Sequence, residues 1–467
     1  MNAHGRGRPS ISAINPHQHR THLWQHVHNS NLGHWSMWLL ETIPGIVWTV
    51  AIGARRLFTG PSPPHGGEKS DKLGKASFMA EPVVVLPSAD TYDVLVVGAG
   101  LWGCVAAREL AEAGNRVLIL EARALPGGNA RSQIDTETGI ECHCYGAHIF
   151  HTADREVWDY VNRFVSFTDY RHKVLTEHAG KVYFMPLGLA LVNAFYGTRL
   201  KPHELPAFIA AEVAKAHLSG EPKNLEEQAI SLVGRPLYEA FIKGYTQKQW
   251  HAEPRELPAF IIRRLPVRAN YDIGYFNDPW QGVPREGYFS LFASLLDHPG
   301  VQVCYNTDYL TIRERFSNDL PIFYSGPIDA YFDYIYGALP WRGLRFEWET
   351  KPVQDWQGTT VMNFADASIP YTRIHEFKHF HPERKRVYGE EKTVICREYP
   401  ADWHVGDIPY YPINTEASAL QLRQYQEKAQ SCPNVVFGGR LGEYRYYDMD
   451  KVIARALEQT RAWKNRN

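Results

Sequence analysis

The chain has 467 residues, 50 of them basic and 51 acidic, for a formal net charge of −1. That balance excludes a bulk nucleic-acid binder, and 44 % apolar with 22 % charged residues excludes a disordered chain. What is left is a globular protein long enough for two or three domains, with six cysteines in no paired or metal-type spacing. No metal is therefore expected, and a reducing cytoplasm is the expected home.

Residues 1–90 differ from the rest. A His-, Asn- and Arg-rich start leads into WSMWLLETIPGIVWTVAIGARR and then the linker PSPPHGGEKSDKLGK. The apolar run is broken by Glu41 and Pro44 and falls short of the roughly 20 residues that span a bilayer, so no stable membrane insertion is expected. An interfacial anchor, a partner-binding segment and a disordered or non-native extension are the three readings. The last is preferred, because Met79 opens MAEPVVVLPSADTYDVLVVGAG, an ordinary lead-in to a first strand.

From Tyr92 the elements are clear. YDVLVV is an apolar strand, GAGLWG a turn, CVAARELAEAG an amphipathic helix and NRVLILEA a second strand. Gly98, Gly100 and Gly103 have the spacing of a dinucleotide loop: a tight turn, a close approach for pyrophosphate, and helix packed on strand. Glu121, ending the second strand, is placed to accept ribose hydroxyls. The Gly127-Gly128 turn in ARALPGGNARS then points to FAD rather than NAD, since a second backbone turn can wrap the longer cofactor.

Cys142-His143-Cys144 is the one cysteine cluster, and strand alternation puts both sulfurs on one face, an awkward geometry for zinc. Residues 186–262 read mostly as helices, as in ELPAFIAAEVAKAHL and LEEQAISLVGRPLYEAFIKGY. Residues 300–400 read as strands: VQVCYN, PIFYSG, LRFEWET, TTVMNFA and TVICREY. ASALQLRQYQEKAQ is a helix, VVFGG a last strand, and MDKVIARALEQTRAW the closing helix. Its lead-in, GGRLGEYRYYDMD, becomes glycine-rich and cationic again, as the far wall of a flavin site would be. Gly438 and Gly439 allow backbone approach, Arg440 offers charge to a diphosphate, and the helix N-terminus at Met449 can face the flavin carbonyls.

The fold expected is α/β: a Rossmann-like FAD-binding domain with a helical insert and a mostly antiparallel substrate sheet. The expected divisions are residues 91–185, 291–345 and 416–467 for the FAD-binding domain and 186–262 for the helical domain. A mobile substrate loop and sheet entry would occupy 263–290, and the antiparallel sheet 346–415.

From about Tyr92 to Trp463 the chain resembles the bacterial UDP-galactopyranose mutases. The motifs that carry the likeness are YGAHIFHT, GYTQKQW, RRLPVRANYDIGYFND, YSGPIDAYFDY, YTRIHEFKHF, DIPYYPI and GRLGEYRYYDMD, in family order. The resemblance implies an FAD enzyme, active when reduced, that interconverts UDP-galactopyranose and UDP-galactofuranose through a covalent flavin N5–sugar link. It also implies a reductant such as NAD(P)H, a homo-oligomer, and a product destined for cell-surface glycans.

It further assigns residues. Arg264 and Arg373 become diphosphate clamps, a role for which a bidentate, permanently charged guanidinium is suited; an ordinary ion pair is the alternative. Tyr245, Tyr275, Tyr411 and Tyr446 could reach phosphate with their hydroxyls, or simply pack. Trp250 and Phe276 become walls against sugar or uracil, with core packing the alternative. His148 lies beside the flavin, through its imidazole or its backbone. Asn363 is a further substrate contact and Asp448 a further cofactor contact, unless Asp448 is a helix cap. Asn129, Val303 and Gly439 complete the cofactor set. No general acid–base pair stands out, which suits covalent catalysis on a cofactor. An amine-oxidase-type flavin oxidoreductase and a binder that has lost its flavin are the competing classes; the arginine motifs argue against the first, and the kept GRLG turn against the second.

Overall fold

The computed structural model describes residues 86–88, 91–262, 267–384, 388 and 391–466. The expectations for the apolar run near the N-terminus and for Arg264 lie outside the described residues. Leu86 already packs on the cluster containing Tyr92 and Phe316, so 86–88 belong with the fold that follows.

Two sheets organise the chain. Val94–Val97 and Val117–Leu120 are buried at every position, the pattern of strands covered on both faces. They lie in a five-stranded parallel sheet of order Val435–Phe437, Ile322–Tyr324, Val94–Val97, Val117–Leu120, Val301–Cys304. Helix Leu101–Glu112 packs between helix Tyr288–Leu296 and the final helix, Met449–Lys464. Trp102, Phe292 and Phe323 anchor the core there. The last two strands of this sheet come from residues beyond 320, so the nucleotide fold closes only after a long excursion.

The excursion builds the second sheet, of seven strands: Tyr411–Pro412, Trp341–Lys351, Thr393–Asp402, Arg373–Glu376, Val361–Phe364, Val174–His178 and Lys181–Met185. All neighbours are antiparallel except Val361–Phe364 with Val174–His178. The boundary expected at 185 is therefore displaced. The hairpin at 174–185 joins the large sheet, because Val174–Glu177 pair residue by residue with Val361–Phe364.

Residues 189–262 are helical and carry their own core, centred on Leu189, Ile230, Tyr238 and Phe241. The run expected as one helix from Leu225 is interrupted by Gly234. It then passes through a π-helical turn, Glu239–Lys243, directly into helix Gly244–Trp250. Such turns often accompany functional sites. Among the described residues no helix is long and apolar enough to cross a membrane. All six cysteines are free thiols.

Candidate active site

The first strand ends in Gly98 (φ +93°), where a Cβ would fall 2.4 Å from the Ser325 hydroxyl. A Cβ on Gly103 would meet the Gly98 carbonyl at 1.9 Å, which is the close helix–strand packing the spacing predicts. Gly100 differs, since the nearest heavy atom to a Cβ there is Gly128 Cα, 3.9 Å away. Conversely, a Cβ on Gly128 (φ +54°) would lie 3.1 Å from Gly100 Cα. The two glycines therefore pack directly on each other, bracing the second turn against the first through bare backbone.

Glu121 is 6 % exposed. Its carboxylate accepts the Ala99 N–H at 2.6 Å and the Arg123 N–H at 2.8 Å, bracing the glycine turn and leaving a lone pair on each oxygen. Asn129 accepts from Arg123 Nη2 (3.1 Å) and donates to Pro409 O (3.3 Å). Arg123 and Arg131 both lie over the Tyr145 ring, and Arg123 Nη1 and Arg131 Nε are buried with no protein partner. Buried cationic donors without acceptors fit an anionic ligand. Val303 sits on the edge strand opposite Ile119, packed on the core.

The C-terminal wall closes the other side. Gly439 (φ +74°) lies against Trp102. Arg440 donates to Tyr447 O (2.5 Å) and Tyr410 O (3.4 Å), and its guanidinium lies 4.9 Å from the Tyr446 ring centre. Asp448 occupies the N-cap of the final helix, yet its side chain makes no capping hydrogen bond. The usual structural role of such an aspartate is therefore absent. Met449 begins the helix, half-buried against the core.

The large sheet contributes one ladder row. Thr176, Asn363, Arg373, Glu398 and Phe346 are register partners on successive strands, so their side chains share a face. Arg373 Nη2 donates to Tyr245 Oη at 2.7 Å. Its Nε stands 3.1 Å from Glu398 Oε1, off the hydrogen-bond axis, so this is an ion pair rather than a hydrogen bond. The other Glu398 oxygen is 2.9 Å from His375 Nε2. Burial disfavours the charge on Arg373, but Glu398 together with Tyr245, Tyr411 and Tyr275 outweighs this and holds it charged. Burial likewise raises Glu398, yet Arg373 and His375 bring it below the usual carboxylate range. His375 is pushed down by burial and donates as a neutral ring. Tyr411, Tyr275 and Tyr446 lie within electrostatic reach of the Arg373 charge, and Tyr245 touches it. The carbonyl oxygen of the Asn363 side chain is buried without a partner beside it.

Tyr245 and Trp250 stand on helix Gly244–Trp250, Trp250 half-buried at its end. Lys248 fixes this helix to the sheet by donating to the Phe364, Asp366 and Tyr371 carbonyls at 2.7, 2.9 and 3.0 Å. Tyr275 is 42 % exposed. Phe276 stacks on His151 at 3.7 Å and on His172 at 5.7 Å, within a cluster of imidazoles. Tyr411 and Tyr446 lie 6.0 Å apart. His148 bonds Gly146 O through Nδ1 at 2.7 Å. Burial pulls its imidazole down to about 4, so it is neutral, with Nε2 as a bare acceptor.

A family model described as UDP-galactopyranose mutase matches residues 240–446, and one described as an NAD(P)-binding Rossmann-like domain matches 96–164. A probable UDP-galactopyranose mutase of Klebsiella pneumoniae is 42 % identical over 367 residues, covering 78 % of this chain and 93 % of the relative. The chain belongs to the UDP-galactopyranose mutase family. A dTDP-fucopyranose mutase of Escherichia coli is 39 % identical over 370 residues, covering 78 % of this chain and 96 % of the relative. A crystal structure of reduced UDP-galactopyranose mutase shares the fold, with a TM-score of 0.62 at 14 % identity over 81 % of this chain and 94 % of that one.

The glycine turn at Gly98, the unpaired Arg123 and Arg131 donors and the Asp448 side chain free of any capping bond all fit a flavin dinucleotide. Arg123, Arg131, Glu398 and His375 escaped the reading of the sequence. The signal for Glu398 was present: TVICREY alternates, and a carboxylate on the same face as Val394 and Cys396 needs a buried partner. Among the described residues one group, Asp355, Glu376 and His379, has metal-ligand proximity. Glu376 is already committed there to Trp356 N, Gln357 N and Thr393 Oγ1, so the cluster reads as a braced turn.

Proposed function

We propose that this chain interconverts UDP-galactopyranose and UDP-galactofuranose on reduced FAD. The observation that carries the reading is the Arg373 guanidinium, paired with buried Glu398, bonded to Tyr245 and within electrostatic reach of Tyr275, Tyr411 and Tyr446, a cationic site suited to a sugar-nucleotide diphosphate. The flavin would be held by Gly98, Gly100, Gly103, Glu121, Gly128 and Asn129 on one side and by Gly439, Arg440, Asp448 and Met449 on the other. When bound and reduced, it would supply an electron-rich N5 as the nucleophile toward the anomeric carbon, with UDP as the leaving group.

The protein's own work is electrostatic and positional. As the anomeric C–O bond breaks, negative charge grows on the UDP diphosphate, and Arg373 stabilises it from the sheet. Arg264 is the second clamp, brought by a segment that closes over the substrate. Tyr245, Tyr275, Tyr411 and Tyr446 add hydroxyl donors. Trp250 and Asn363 line the sugar-nucleotide path. Detached UDP must stay beside the sugar, because the same diphosphate recombines with the ring-contracted product. No electrons are consumed, so a donor such as NAD(P)H is needed only to prime the flavin. Six free thiols support a reducing, cytoplasmic setting. A homo-oligomer supplying galactofuranose for cell-surface glycans completes the reading.

The 39 % identical fucopyranose mutase favours a second reading, a dTDP-6-deoxyhexose as substrate. The test is to incubate dithionite-reduced, FAD-loaded protein separately with UDP-galactofuranose and dTDP-fucofuranose. Formation of UDP-galactopyranose, with none from the oxidised protein, supports the first reading. Turnover of the dTDP sugar alone supports the second, and turnover of neither sinks both.

A further inference from the structure

The loop at 145–149 joins two parts of the site. At its start, Tyr145 lies beneath Arg123 and Arg131 of the dinucleotide cradle. Further along, His148 is within electrostatic reach of Arg440 on the C-terminal wall and of Glu398 on the sheet. Gly146 turns it with φ +90°. A Cβ there would stand 3.3 Å from Glu398 Oε2.

One side chain grips this loop from below. His143 Nδ1 accepts the backbone N–H of His148 at 2.9 Å. Only a neutral imidazole protonated at Nε2 can do this, since an imidazolium has no lone pair to offer. His143 is 1 % exposed. It stacks on Phe380 at 4.8 Å, and Tyr288 stands edge-on at 5.3 Å. Burial in that aromatic slot pulls its pKa down to about 3, which keeps the lone pair available at every physiological pH.

We propose that His143 is a positioning residue whose Nδ1 lone pair holds the His148 peptide, and through it fixes the loop that joins the cofactor cradle to the Arg373 face. Packing alone asks only for a flat apolar ring, which phenylalanine would supply. The acceptor is the additional feature, and without it the His148 N–H has no partner in a closed site. The consequence for turnover rests on the mutase reading; the consequence for the loop does not.

The test compares His143→Phe and His143→Asn in FAD-loaded protein. Phenylalanine keeps the ring and removes the acceptor, whereas asparagine keeps an acceptor near the Nδ1 position. Hydrogen exchange at the His148 amide is read together with kcat, KM and the flavin absorption spectrum. In His143→Phe, exchange is expected to rise at least about tenfold and kcat to fall about 10- to 100-fold with KM within about twofold. The flavin band should shift. In His143→Asn, protection and kcat should return to within about fivefold of the parent. Unchanged protection, or raised exchange with normal kcat and spectrum, overturns the proposal. If the Phe variant does not fold, Asn decides: lost protection despite an acceptor overturns the role, and kept protection supports it. Should the protein turn over neither sugar nucleotide, exchange and the flavin spectrum still report on the loop.

Discussion

Arg373, on a strand, donates a 2.7 Å hydrogen bond to Tyr245, on a helix 128 positions earlier in the chain. The bond ties the helical region to the large sheet across the face where the substrate is proposed to sit. Tyr245→Phe removes the acceptor and leaves Arg373 one partner short. A charged hydrogen bond of this kind contributes about 1.5–3 kcal/mol, so kcat/KM should fall about 10- to 100-fold. Steady-state kinetics on the reduced enzyme checks this, and a change below about threefold would make the bond incidental.

Arg373→Ala should cost both rate and stability. The rate should fall about 100- to 1000-fold through loss of a diphosphate clamp. Stability should fall by about 2–4 kcal/mol, because Glu398 and His375 are left buried around a missing cation; the 29 % exposure of the Arg373 side chain keeps the figure toward the lower end. Arg373→Met combined with Glu398→Gln should recover much of the stability and none of the rate. Urea unfolding of the single and double variants separates the two effects.

Arg264→Ala is expected to lower turnover about 30- to 1000-fold, corresponding to about 2–4 kcal/mol of transition-state stabilisation. Arg264→Lys should rescue only in part, since a point charge lacks the bidentate fork. UDP should also slow protease cleavage in the RRLPVR stretch. Near-normal kinetics and UDP-independent cleavage together remove Arg264 from the site.

Acid should destabilise the protein through its buried imidazoles. Burial pulls His143 and His172 down to about 3 and lowers His375, whereas an unfolded histidine titrates near 6.5. Between these values the unfolded chain binds more protons, so stability falls as the pH drops below about 6.5. Each such group contributes about 1 kcal/mol per pH unit. His379 opposes this: although burial lowers it, Glu376 more than offsets that, so its net contribution is lost as the pH rises above its raised pKa. The unfolding free energy should therefore be several kcal/mol smaller at pH 5 than at pH 7. An equal or larger value at pH 5 would mean that these rings are not buried neutral.

Lys248→Met should loosen the helix that carries Tyr245. The three carbonyls at the lysine ammonium lose their donor, which should cost about 1–3 kcal/mol. Weakened binding, seen as a raised KM with kcat held within about threefold, is the expected kinetic form. Unchanged stability and KM would show that water replaces the ammonium at no cost.

The elements most legible in the sequence were those with local signatures. Gly98, Gly100 and Gly103 announced a strand–turn–helix, and the final helix followed from its period. The pairing of 174–185 with the Asn363 strand was not legible, because a parallel partner nearly 190 residues away leaves no local trace. Phe276 read as a wall against sugar or uracil, and only the fold shows His151 and His172 stacked on it. Glu398 and His143 were hidden for another reason. Their partners, Arg373 and the His148 backbone, are set by register and by a loop, neither of which a one-dimensional pattern encodes.

Trp102, two positions after the second loop glycine, bonds through its indole N–H at 2.8 Å to Gln459, 357 positions later. The same ring lies against the Gly438-Gly439 turn, the far wall of the proposed cofactor site. Translation at about 5–20 residues per second puts roughly 20–70 s between the two halves of this contact. A nascent chain leaving the ribosome thus exposes its glycine loop long before the opposing wall exists. If the cofactor is bound as proposed, its loading must wait for the finished polypeptide, and a ribosome stalled before the last helix should hold a chain that takes up no flavin.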